Sequence, residues 1–97
     1  MSTLVLEKDP AVLDATLDDH FLTIELVDGR SLRVPITWYP RLAAATAAER
    51  LNWRLLGNGY AIEWPDLDEH IGIEGLLAGR RSGESERSFG AWLAARE

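Results

Sequence analysis

The segment FLTIELVDGRSLRVPI, residues 21 to 36, constrains the fold more than any other part of the chain. Leu22, Ile24 and Leu26 alternate with Thr23 and Glu25, and Leu32, Val34 and Ile36 alternate with Arg33 and Pro35. A period of two is the mark of half-buried strands. Asp28-Gly29 between the runs tolerates the positive φ angles of a tight turn, so the runs are expected to pair as a hairpin. An earlier strand, about Val12 to Leu17, is expected to join them through the polar turn Asp18-Asp19-His20 and complete a three-stranded meander.

After Ile36 the pattern changes. TWYPRLAAATAAERLNW reads as one helix, with Pro40 near its first turn, where a missing N–H costs nothing. Its apolar stripe is narrow, and its alanines allow close packing onto a sheet. Gly57-Asn58-Gly59 then divides two short apolar segments and predicts a second hairpin, whose last strand stops at Trp64-Pro65. Ile73 to Ala78 reads as a short helix closed by Gly79, and RRSGESER as a polar connector. In SERSFGAWLAARE, Phe89, Trp92 and Leu93 recur at i, i+3 and i+4, which predicts a last helix with an aromatic stripe.

The expected fold is therefore α+β: a small antiparallel sheet, made of a three-stranded meander plus a hairpin, with one mid-chain helix and two short C-terminal helices. Residues 1–9 are expected to be a flexible N-terminus, residues 10–80 the core domain, and residues 81–97 a linker with an amphipathic helix. The length, 97 residues with 46% apolar content, suits one small core.

Composition removes several function classes. There is no cysteine, hence no disulfide framework, thiolate nucleophile or cysteine zinc site. No apolar run approaches the roughly 18 residues of a membrane span, and the start MSTLVLEKDP lacks the features of a signal peptide. A soluble cytoplasmic protein is the expectation. The net charge of −6, with Lys8 the single lysine, opposes nucleic-acid binding by this chain alone and suits a basic protein partner. Arg80, Arg81 and Arg87 are read as a solvated face.

The densest ionisable stretch is Asp66, Asp68, Glu69 and His70. Calcium loops need a longer alternating run with a glycine and a distal glutamate, and zinc sites favour spaced histidines, so neither template is met. The stretch is read as structural: a turn that ends the strand, followed by negative charge just before a helix N-terminus, where the macrodipole favours it. No metal, cofactor or catalytic residue is assigned. His20 marks a turn, the serines lie outside any nucleophile elbow, and GNG lacks the lysine and helix of a phosphate loop. Trp38, Trp53 and Trp64 are read as core, with a pocket lining as the alternative.

The run ERLNWRLLGNGYAIEWPDLDEHIGIEGLLAG, with the upstream DGRSLRVPITWYPRL, resembles the domain-of-unknown-function 2442 family of small bacterial proteins. The likeness covers about residues 10 to 80 and rests on the pattern G-x-G-x-x-I-x-W-P-x-L-D-E. It implies an α+β fold of the kind seen in the N-terminal domain of a nitrifying bacterium's protein, and no activity. Family members that sit beside toxin-like proteins imply an antitoxin-like role; those that append a DNA-binding domain have more chain than this one. Where the family pattern carries an acid and a serine, this chain has His70 and Gly72. That weakens a three-carboxylate metal reading and leaves a poorer helix cap.

Two functions are weighed. The first is a protein-interaction module, partner of a small basic toxin, with Phe89, Trp92, Leu93 and Arg96 as candidate contacts. The second is a metal-dependent or small-molecule-binding accessory protein or enzyme built on Asp66, Asp68, Glu69 and His70. For the aromatic stripe, burial on the domain's own sheet is favoured over a partner or a second copy. A homodimer is compatible with either function.

Overall fold

A computed structural model describes residues 10–96 of the chain; the segment expected to be flexible, 1–9, lies outside the described residues. Strands β1 (Val12–Leu17), β2 (Phe21–Leu26) and β3 (Ser31–Pro35) form the expected antiparallel meander in the order β1-β2-β3. Thr16 pairs with Thr23, and Thr23 with Arg33, so Ala15, Ile24 and Leu32 share the inner face. The turns are fixed locally. Asp18 accepts hydrogen bonds from the His20 and Phe21 amides, both at 2.7 Å, and Asp28 accepts from the Arg30 amide.

The register of β1 against β2 slips between Val12 and Asp14, so Leu13 is the extra residue of a bulge. The bulge explains why the buried positions of β1, Val12 and Ala15, are three apart rather than two. Leu13 is thrown outward.

The single mid-chain helix expected from residues 37 to 53 is instead two. A 3-10 turn (Ile36–Trp38) leads into α1 (Pro40–Ala43), the chain breaks at Ala44 to Thr46, and α2 (Ala47–Leu51) follows. The cause is a capping box. The Thr46 hydroxyl accepts from the Glu49 amide at 3.1 Å while the Glu49 carboxylate accepts from the Thr46 amide at 2.9 Å. This reciprocal pair satisfies helix N-terminal donors and holds Thr46 in an extended conformation.

The expected second hairpin is the start of a second three-stranded sheet. β4 (Arg54–Leu56), β5 (Ala61–Trp64) and β6 (Glu69–Gly72) pair antiparallel in that order. Gly57, Asn58 and Gly59 all have positive φ, and Gly59 lies so close to β1 that an added Cβ would sit 2.9 Å from the Val12 carbonyl. After β5, a 3-10 turn (Pro65–Leu67) and the left-handed Asp68 reverse the chain into β6. The expectation that Asp68 and Glu69 directly precede a helix is thus corrected: a strand intervenes, and α3 (Ile73–Leu77) begins only after Gly72. The last helix, α4 (Glu86–Ala95), is capped by the Ser85 hydroxyl.

Both sheets and α1 enclose one core. Leu22, Ile24, Leu26, Ile36, Leu42, Ile62, Trp64 and Leu67 are fully buried. Each aliphatic member contributes about 1.5–3 kcal/mol of burial. Trp64 donates its indole N–H to the Arg50 carbonyl at 3.2 Å, which meets its polar atom inside the core. Trp38, Trp53 and Trp92 pack around the edge of this cluster, half-buried.

Candidate functional site

Strand alternation takes the acidic stretch apart. Asp66 is exposed and accepts from the Asn52 amide group at 2.9 Å, whereas the Asp68 side chain stands in solvent. His70 pairs in register with Glu63 on the outer face of the second sheet, where Glu63 is held by Arg54 at 2.6 Å. Glu69 lies on the opposite face, beside Trp64 in register. Among the described residues, no group of three or more His, Asp or Glu side chains is placed to hold a metal ion.

Glu69 instead faces an arginine that the sequence reading passed over. Arg41, on α1, donates to both carboxylate oxygens of Glu84 at 2.6–3.0 Å and to the Leu67 carbonyl at 2.9 Å. Ser88 adds a bond to Glu84 at 2.8 Å. Arg41 and Glu84 are 15% and 11% exposed at their side chains, so this bidentate pair is largely desolvated and works as a strut between α1 and the connector before α4. The Arg41 guanidinium holds the Glu84 carboxyl below the ordinary carboxylate range. Glu69 is pushed the other way, first by burial and then by the nearby Glu84 charge. With its donors committed, Arg41 has little left to offer an incoming anion.

The C-terminal candidates are partly used by the protein itself. Phe89 and Trp92 stack with centroids 5.8 Å apart, and Trp92 lies between the Arg41 and Arg96 guanidinium groups at 5.1 and 4.4 Å. Arg96 also forms a two-pronged pair with Glu49 at 2.7 and 3.0 Å. That arginine holds the Glu49 carboxyl down to about 2, with the Thr46 amide second. Phe89 lies beside Pro40, Ala43 and Ala44 at α1, Trp92 packs against the edge of the core, and Leu93 is exposed.

A different apolar surface lies across the molecule. A cleft of about 490 Å³ opens between β1 and α2, with Ala15, Leu17, Ala47, Leu51 and Trp53 among its lining. Arg50 closes one end by bonding Asp19 at 2.8 Å and the Leu42 and Ala43 carbonyls at 3.0 Å. Leu51, in the lining of the cleft, is 79% exposed, and elsewhere on the surface Leu13, Leu55 and Tyr60 are exposed as well. Leu13 belongs to β1, and Leu51, Leu55 and Tyr60 to the segment 51–60, of which Trp53 lines the cleft with Ala15 and Leu17 and Gly59 lies against Ala11 and Val12. The only sequence signal for them is negative. Leu13 breaks the alternation of β1, and Leu51 ends a helix none of whose residues is buried.

The fold places the chain in a class of small α+β proteins with two three-stranded antiparallel sheets. A crystal structure of a protein of unknown function from Rhodospirillum rubrum is similar, with TM-score 0.68 and 24% identity over 79% of this chain and 95% of that one. A solution structure of an uncharacterized protein from Chromobacterium violaceum is also similar, with TM-score 0.64 and 19% identity over 89% of this chain and 75% of that one. Both likenesses concern the fold. The family is shown by sequence: residues 14–82 match the protein family of unknown function DUF2442, and the chain belongs to that family. No curated protein sequence matches it. Among the described residues, no helix is long and apolar enough to cross a membrane.

Proposed function

We propose that this chain is a protein-interaction module whose partner is a small basic protein, in the manner of the antitoxin of a toxin–antitoxin pair. The observation that carries the reading is the open apolar cleft between β1 and α2, where Ala15, Leu17, Ala47, Trp53 and the 79% exposed Leu51 form one group. Small proteins do not keep such a group in water without cost, and apolar patches rimmed by polar residues mark interaction surfaces. The net charge of −6 gives the partner its sign, since complementary charge steers encounter and excludes acidic competitors.

The accessory or enzyme reading draws less support. Among the described residues its four side chains form no group of three that could hold a metal ion, and the half-buried carboxylate among them, Glu69, lies beside the already paired Arg41 and Glu84. The test of the interaction reading is affinity purification of the full chain from its native host, with the molar ratio of the eluate measured by light scattering. A stoichiometric basic partner is expected. Recovery of the chain alone contradicts the proposal.

A further inference from the structure

We infer that the outer edge of β1 takes an extended, basic segment of the partner as an added strand, with an apolar side chain of that segment seated in the cleft between β1 and α2. This rests on the interaction reading above and names its surface. Asp18 donates its amide to the Phe21 carbonyl at 3.1 Å, which marks a hydrogen-bonded pair. Such pairs alternate along an antiparallel ladder, so Thr16 and Asp14 also turn their main-chain groups toward β2. The N–H and C=O groups of Ala15 and Leu17 therefore face outward, into the cleft that these two residues line.

The edges of the two sheets are not equivalent. On β3, Pro35 removes a donor, and Arg33 lies over the Phe21 ring at 3.7 Å. Proline and charge are common guards of an edge. β4 has three residues, and β6 runs directly into α3. β1 is six residues long, contains no proline and, among the described residues, pairs with β2 alone. Strand addition draws affinity from such an edge and specificity from pockets beside it.

Charge selects the occupant. Asp14, Asp18 and Asp19 lie along the edge, and Arg50 is already held by Asp19 and two carbonyls, leaving carboxylates in excess. A second copy of this chain is disfavoured: antiparallel self-pairing centred on Thr16 would set Asp14 of each copy against Asp18 of the other. Lysine or arginine at alternate positions of an added strand meets those acids, while the residues between them meet Leu51 and Trp53.

The test is amide NMR of the full chain titrated with an octapeptide alternating lysine and valine, with an alternating glutamate and valine octapeptide as control. The lysine peptide is expected to shift the Ala15 and Leu17 amides and the Trp53 indole, and Leu51→Lys to weaken binding at least tenfold. Because Leu51 is largely exposed, that variant should keep the wild-type spectrum elsewhere. Shifts centred on Phe89 and Leu93 would overturn the assignment to β1 and leave the interaction reading standing. Equal binding of both peptides, binding of neither, or nuclear Overhauser contacts from residues 1–9 to Ala15 and Leu17 would also overturn it.

Discussion

Gly59 shows how a single backbone position ties the two sheets together. Its φ of +94° disfavours any side chain, and an added Cβ would meet the Val12 carbonyl at 2.9 Å. Gly57 also has positive φ, but open space around it. Gly57→Ala should therefore cost about 1 kcal/mol, the ordinary left-handed penalty, whereas Gly59→Ala should cost clearly more. Urea unfolding of the two variants checks the order. The GNG turn was legible because glycine and asparagine announce positive φ; the contact with β1 was not, because nothing in the string relates residue 59 to residue 12. Glu69 gives the corresponding case for charge. Its folded pKa is raised, so below the ordinary carboxylate range folded and unfolded chains both hold the proton and Glu69 costs nothing. As pH rises through the raised folded value, the charged carboxylate sits half-buried beside Glu84 and stability falls. Glu69→Gln should raise the melting temperature at neutral pH, and the gain should vanish in acid. The acidic stretch looked like a helix entrance because a four-residue strand containing Glu69 and His70 has no β-rich signature. The buried Ile71, packed in register with Ile62, overrides that local composition.

Among the elements, α2 and α4 are the least self-sufficient. Neither contains a fully buried residue. The break between α1 and α2 could have been found: Thr46-Ala47-Ala48-Glu49 spells a capping box, yet the alanine-rich run favours continuous helix on propensity alone. Thr46→Ala should cost about 1 kcal/mol by removing the cap. For α4, the stripe at Phe89, Trp92 and Leu93 predicted the helix, but its attachment depends on partners more than forty residues away. The Arg41 strut is the stronger of the two fastenings. Arg41→Ala leaves Glu84 desolvated and unpaired, and should cost about 2 kcal/mol in urea unfolding, part of the full buried-pair penalty being screened. The Glu49–Arg96 pair is nearer to solvent. Its contribution is small, present above the ordinary glutamate pKa and lost as pH falls through the depressed value of about 2. In Arg96→Ala the Glu49 titration, followed by carboxyl NMR, should move up toward the normal range.

At the scale of the molecule, two small sheets share a core and leave an open apolar cleft between β1 and α2, with Leu51 and Trp53 in its lining. The α+β class, the meander and the family signature were legible, since each rests on spacing within a short window. The cleft was not. It arises from the approach of β1 to α2 and Trp53, which belongs to the folded chain rather than to its periodicity. The proposed docking surface is the cleft beside β1 and not the aromatic stripe at Phe89, Trp92 and Leu93, part of which the protein uses to pack Trp92 against its own core. The most direct measurement compares the full chain with its Leu51→Lys variant in affinity purification from the native host, with mass and molar ratio read by light scattering. The account predicts a stoichiometric basic protein bound to the wild-type chain and lost from the variant, which stays folded. Equal recovery with both chains, or a homodimer with no partner, would contradict it.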